Sequence, residues 1–237
     1  MAKETKKVER KYVSASKGEV VTKDSKSRAT RLRIGAVVLW LFAIACEVLC
    51  ILYLNGTFFV PSEGLEILNI TLLPMTILII GIVADLILVI IGSQLWKKAN
   101  HINPISKKNK VKFFLWNQMG LIVAVIAFMP LVIFLLKDKN LDAKTRKIVS
   151  VVAAIALIIA GAASIDYSPV SQEELAEAQA TYGDDNVYWT TFGKSYHLDE
   201  NCHTLNRSKT IYYGTIDEAF EANRHDPCDF CVPQGDE

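Results

Sequence analysis

The sequence predicts a mainly α-helical membrane protein, a four-helix transmembrane bundle with a small α+β domain at its C-terminal end. Three observations predict it. Four apolar runs are each long enough to cross a bilayer, the connections that should share one side carry the lysines, and residues 166–237 are polar and acidic, with clustered His and Cys. Over the 237 residues the formal charge is +1, which conceals this segregation.

Residues 1–33 hold eleven Lys or Arg against four acids, a net +7, and read as a basic, disordered, cytosolic tail. The tail is too long and polar for the n-region of a signal peptide, and the apolar run behind it exceeds a signal h-region of about 7–15 residues, so it reads as a retained anchor.

A hydrocarbon core about 30 Å thick needs roughly 20 apolar helical residues. Four runs within 34–165 qualify: Ile34–Leu54, Leu68–Trp96, Phe113–Leu136 and Ile148–Ile165. The same runs as buried helices of a water-soluble domain would leave almost no polar surface. Positive residues near span ends mark the cytosolic side. They precede the first span and recur as Lys97, Lys98, Lys107, Lys108, Lys110 and Lys112 between the second and third. The loop between spans one and two has Glu63 and Glu66 and no basic residue, as an outside loop should. Residues 137–147 dissent, with five basic and two acidic residues on a side that four spans place outside. Four crossings return the C-terminus to the cytosol with the N-terminus, in the cell membrane, where thiols stay reduced and free to bind metal.

Residues 166–186 read as a helical linker. Ser171 and Glu174 form a capping box that opens a helix over Gln172–Thr181. In 187–237, a strand over Val187–Phe192 turns at Gly193-Lys194 into a second strand at Tyr196. A third apolar stretch covers Thr210–Tyr213, and Thr215 with Glu218 caps a helix over Ile216–Asn223. Pro74 and Pro130 suggest kinks, and Ala156, Ala160 and Ser164 form a small-residue stripe for close helix packing. Asn117 and Gln118 are candidates for hydrogen bonds between helices.

The residues with the clearest chemistry are His197 and Cys202, followed by Pro227-Cys228-Asp229-Phe230-Cys231. A C-x2-C turn lets two thiolates reach one ion, and a second knuckle completes a tetrahedral set. His197, Cys202, Cys228 and Cys231 therefore read as a Cys3His zinc site, with His203 or His225 as alternative ligands. The competing reading is a reduced-thiol core without metal. A domain this small has little apolar area, and structural zinc is a common remedy. Four protein ligands leave no position for water, so the site reads as structural rather than hydrolytic.

Tyr188, Thr190, Gly193, Tyr196, His197, Cys202, Leu205, Glu218, Ala219, Pro227, Cys228 and Cys231 together resemble the metal-binding domain of the Ada DNA-repair family. They are more similar still to the short Ada-like modules appended to bacterial nucleases and to surface or membrane proteins. The resemblance covers residues 187–232, about one fifth of the chain, and implies a small zinc-binding fold in a bacterial protein. Two departures carry weight. His197 stands where the methyl-accepting members have cysteine, and imidazole is not a sacrificial thiolate, so phosphotriester repair is not expected. The glycine expected before Pro-Cys-x-x-Cys is also missing, with Asn223-Arg224-His225-Asp226 in its place.

Residues 166–237 carry fifteen acids and four basic residues, a net −11, which disfavours nucleic acid and favours a protein partner or a second copy of the chain. The basic tail and the 97–112 loop are the nearest complementary surfaces. Within the spans, Glu47 and Asp85 are the informative ionisable groups, because charges in lipid are costly and usually face the bundle interior. They read either as two unconnected carboxyls hydrogen-bonded to neighbouring helices or as a proton or cation pair. Cys46 and Cys50 share the face beside Glu47; small packing residues are the simpler reading and a transmembrane metal site the other. No nucleophile elbow, phosphate loop or catalytic carboxylate pair indicates an enzyme. The expectation is an assembly or regulatory membrane protein that presents a structural-zinc interaction domain. The alternative is a small transporter or channel using Glu47 and Asp85, with the zinc domain as gate or sensor.

Overall fold

The computed structural model describes residues 11–14, 24–54, 65–67, 70–72, 74–137 and 142–233. In chain order the elements are β1 (Lys11–Ser14), α1 (Asp24–Leu54), β2 (Leu65–Ile67), β3 (Ile70–Leu72), α2 (Pro74–Ile102), α3 (Lys110–Asn117), α4 (Met119–Lys137) and α5 (Ala143–Ser164). There follow α6 (Gln172–Tyr182), β4 (Val187–Thr190), β5 (Ser195–Tyr196), a 3₁₀ turn at His203–Arg207, β6 (Thr210–Gly214), α7 (Ile216–Glu221) and β7 (Asp226–Pro227). They form two compact units. One comprises 30–97 and 114–167, and the other 1–29, 98–113 and 168–237.

The first unit contains the apolar helices. Among the described residues four helices are long and apolar enough to cross a membrane: Lys26–Leu54, Met75–Ile102, Met119–Lys137 and Ala143–Ser164. Large apolar side chains face outward from all of them, including Leu41, Phe42, Ile87, Leu136 and Ile158. Apolar surface on this scale is what a lipid solvent accepts and water does not.

The helix ends differ from the predicted spans for identifiable reasons. The second helix begins at Pro74 rather than Leu68, because the preceding residues Leu65–Ile67 and Ile70–Leu72 pair as an antiparallel hairpin. Pro74 therefore starts a helix, where its missing N–H costs nothing, and does not kink one. The fourth helix begins at Ala143, five residues before Ile148, because the Asp142 carboxylate caps it by accepting from the Lys144 and Thr145 amides, both at 3.0 Å. The third run is interrupted at Gln118, between α3 and α4. The rest of the expected outside loop and residues 138–141 lie outside the described residues.

Inside this unit α4 packs on α5. Ala124, Ala127, Phe128, Leu131 and Leu135 share one buried cluster with Val149, Ala153, Ala156 and Ala160. The expected small-residue stripe is buried throughout, Ser164 included. Gly120 is required by the same closeness, since a Cβ there would meet Ser93 Oγ at 2.7 Å and the Ser164 Cβ at 3.3 Å. Three polar side chains secure the end of α5. Gln94 donates to Ala163 O at 3.0 Å, Lys97 to the same carbonyl at 2.8 Å, and Gln118 exchanges two hydrogen bonds with the Asp166 backbone at 2.9 and 3.2 Å. Trp96 packs at a tilt between Trp40 and Trp116 at centroid separations of 5.3 and 5.0 Å, with the Arg33 guanidinium 5.5 Å from the Trp116 ring.

The second unit is built from three stretches of chain. Its core is Val170, Ala178, Val187, Trp189, Tyr196, Leu205, Ile211, Ile216 and Phe220. Val170 and Ala178 come from the segment expected to be a linker, so α6 belongs to this core and is not a spacer. Its capping box is formed as expected, and so is that of α7. The sheet order is β1-β6-β4, with β1 parallel and β4 antiparallel to β6. Two corrections follow for the tail expected to be disordered to residue 33. Lys11–Ser14 is a strand, and helix α1 already begins at Asp24.

Candidate metal centre

Local register brings the four predicted ligands together. β5 pairs in parallel with β7 so that Tyr196 lies opposite Pro227, which sets the next residues, His197 and Cys228, side by side. The Cys228 amide donates to Tyr196 O at 3.1 Å, fixing that juxtaposition. Of the predicted hairpin, one bridge away from the turn is present, where Tyr188 and His197 exchange backbone hydrogen bonds of 2.8 Å; nearer the turn, β5 pairs with β7 instead. Cys202 follows a turn in which Asp199 accepts from the Asn201 amide through its carboxylate and from the Cys202 amide through its carbonyl. The Val232 amide closes the second knuckle on Cys228 O at 3.0 Å.

The chain enters the second knuckle through a residue type that tolerates left-handed backbone better than most non-glycine residues. Asn223 has φ 62°, the left-handed region. At the end of α7, Arg224 N–H donates to Ala219 O at 2.8 Å and Asn223 N–H to Phe220 O at 2.9 Å, the two bonds of a Schellman cap. The Arg224 side chain then spends its donors on the Thr190, Thr191, Ala222 and Asn223 carbonyls, tying this corner to the end of β4.

One donor atom from each of His197, Cys202, Cys228 and Cys231 lies within 4.8 Å of the others, and among the described residues this is the one group of three or more His, Cys, Asp or Glu so placed. Cys202 Sγ is 3.9 Å from Cys228 Sγ, and Cys231 Sγ is 3.6 Å from His197 Nδ1. Tetrahedral bonds of about 2.3 Å to sulfur and 2.0 Å to nitrogen would separate such atoms by about 3.8 and 3.5 Å. The set is thus positioned to bind a metal ion, with Nδ1 as the imidazole donor. Three of the four residues are buried and Cys231 is half-buried. Burial holds the His197 imidazole below its ordinary pKa, favouring the neutral form that ligates. Burial also raises the Cys231 thiol to about 11, whereas at Cys202 hydrogen bonds led by the Thr204 hydroxyl overcome burial and lower it.

Neither alternative histidine joins the group. His203 is exposed and stands edge-on to Phe230 at 4.4 Å, and His225 Nε2 lies 3.4 Å from Ser168 Oγ and 3.8 Å from an Asp226 carboxylate oxygen. Thr204 was not singled out from the sequence; its hydroxyl lies 3.1 Å from Cys202 Sγ, and a Thr two residues after a ligand is too common a pattern to signal this.

Comparison with family models, curated proteins and solved structures finds no match to this chain.

Glu47 and Asp85 lie near enough to interact electrostatically but differ in their hydrogen bonding. Glu47 is buried, and its Oε1 accepts from the Leu131 amide at 3.1 Å. That amide belongs to the residue after Pro130, which lies inside α4. Asp85 is 1% exposed, and neither carboxylate oxygen has a hydrogen-bond partner among the described residues. Cys50 presses its sulfur against Gly81, where a Cβ would meet it at 2.6 Å. Cys46, Glu47, Cys50 and Asp85 do not converge on one metal position.

The acidic C-terminal segment uses its charge locally. Glu221 takes a two-pronged ion pair from Arg28 at 2.5 and 2.8 Å and a third contact from Lys98 at 3.5 Å. Glu173 accepts from the Ser106 hydroxyl and the Lys107 amide, and the Ser106 hydrogen bond leads in holding its carboxyl below the usual range.

Proposed function

We propose that the chain is a noncatalytic multi-pass membrane protein whose helical bundle anchors an Ada-like, zinc-stabilised interaction domain in the cytosol, as an assembly or regulatory component. The observation that carries this reading is the closed Cys3His group: four protein donors converge with tetrahedral spacing, so an ion there has no open position for substrate or water. Three thiolates plus one imidazole in tetrahedral array are a ligand set suited to zinc and unsuited to hard cations such as magnesium or calcium. The exchange of cysteine for His197 at the first ligand position argues against sacrificial alkyl transfer. The ion pairs of Glu221 with Arg28 and Lys98 support a domain whose acidic surface meets basic segments of protein rather than nucleic acid.

A second reading is favoured by one observation. Asp85, buried without a partner, is the kind of intramembrane carboxyl that binds a proton or cation in small transporters and channels. The two readings part on a double substitution. In the adaptor reading, Glu47→Gln with Asp85→Asn leaves any zinc-dependent complex intact, measured by size in detergent and by quantitative co-purification against Cys228→Ser. In the transport reading, the same pair abolishes proton- or cation-linked flux in proteoliposomes and Cys228→Ser alters only its regulation.

A further inference from the structure

The four ligands account for binding an ion but not for what holds the thiolates at tetrahedral spacing. Around them one polar side chain recurs. Thr204 Oγ1 lies 3.1 Å from Cys202 Sγ, 3.4 Å from His197 Nδ1 and 3.8 Å from Cys228 Sγ. It therefore lies beside three of the four donor atoms. The 3₁₀ turn that starts at His203 fixes this position, since the Leu205 amide donates to Cys202 O at 3.0 Å and holds the ligand and the hydroxyl within one turn. Leu205, next in sequence, is fully buried, so the turn cannot rotate the hydroxyl away without withdrawing a core side chain.

We infer that Thr204 is a positioning residue for the metal centre, its hydroxyl donating to the Cys202 thiolate from outside the coordination sphere. A hydroxyl has one proton, a metal-bound thiolate sulfur has none, and a metal-bound Nδ1 has its lone pair engaged, so the direction of donation is set. Of the two sulfurs, Cys202 is nearer by 0.7 Å, the difference between 3.8 and 3.1 Å. The bond offsets negative charge that three thiolates would otherwise place on one ion, orients the Cys202 side chain, and covers the face of the cluster between His197 and Cys228. This is the work that outer partners do for metal ligands, and their loss typically weakens metal binding by about 10–100-fold. The inference rests on the metal reading of the His197 group.

The test uses the full chain in detergent, loaded with zinc or cobalt(II). Thr204→Val keeps the shape and removes the hydroxyl; Thr204→Ser keeps the hydroxyl. The expected result is a zinc dissociation constant about 10–100-fold higher for T204V by chelator competition, a displaced thiolate-to-cobalt charge-transfer band, and recovery of both in T204S. T204V that binds zinc like the parent with a superimposable cobalt spectrum overturns the inference, as does T204S behaving like T204V. If T204V does not fold, the parent loaded with cadmium-113 decides: the Thr204 hydroxyl proton should be protected from exchange and coupled to the metal, and a freely exchanging proton overturns the assignment. A parent chain that carries no metal refutes the metal reading and this inference together, whereas a loaded parent with an indifferent T204V refutes Thr204 alone.

Discussion

The two units of this protein are stabilised by different means. The helical unit draws on surface: its interior is filled by alanines and by larger side chains such as Leu78, Phe128 and Val149, while Leu41, Phe42 and Ile158 remain outside. Such a surface is compatible with an apolar solvent. The other unit has two short sheets, two short helices and a core of about a dozen side chains, a size at which apolar burial alone supports little net stability. It needs a cross-link, and the His197 group is placed to supply one. The lesson is that loss of metal and loss of helix packing should be separable injuries.

Cys228→Ser is the severest way to break the comparison. Structural zinc contributes about 10–16 kcal/mol of apparent binding free energy in small modules, so the substituted chain should lose protection of β4, β6 and α7 in hydrogen exchange while the four long helices keep theirs. Equal loss in both units would show that they are not independent. In the helical unit, Gly120→Ala should cost about 1–3 kcal/mol, because the new methyl meets Ser93, which is itself bonded to Ser164 Oγ at 2.9 Å. That cost should appear as a lower midpoint for helix unfolding in detergent with zinc content unchanged.

Asn223 sharpens the contrast at smaller scale. Asn223→Gly should leave stability unchanged or slightly improved, whereas Asn223→Val should cost about 1–2 kcal/mol, because a β-branched residue resists the left-handed backbone of the cap. Chelator resistance of the bound metal, compared between the two variants, reads this directly. The smallest expected effect lies at Glu173. Its carboxyl is held below the ordinary 4.5 by hydrogen bonds that require the ionised form, so its contribution is present above that pH and lost as pH falls through the lowered value. Exchange protection of the Lys107 amide should fall on acidification below about 4.5, and in Glu173→Gln it should be reduced already at neutral pH.

How much of this was legible in the sequence depended on how local each signal is. The four long helices follow from apolar run length, and both capping boxes follow from residues three apart. The ligand set follows from Cys and His spacing. What failed was set by groups outside the pattern. Asp142 starts α5 early because a side-chain cap outranks the polarity of Lys144, Arg146 and Lys147. The hairpin of Leu65–Ile67 and Ile70–Leu72 holds the residues before Pro74 out of α2, although Leu68, Ile70, Leu72 and Leu73 continue its apolar run in the sequence. β1 was hidden because Lys11–Ser14 pairs with Thr210–Tyr213 across the length of the chain, and its largely exposed side chains leave no hydrophobic pattern to read. Thr204 was hidden because a hydroxyl beside a thiolate is a matter of distance, which spacing does not encode.

The central claim is that His197, Cys202, Cys228 and Cys231 close on one zinc ion. X-ray absorption at the zinc edge, with metal analysis of the purified full chain, tests it most directly. The account predicts one zinc per chain with three sulfur neighbours at about 2.3 Å and one nitrogen at about 2.0 Å. A folded chain without zinc, or an ion bound through oxygen with an open position, would contradict it.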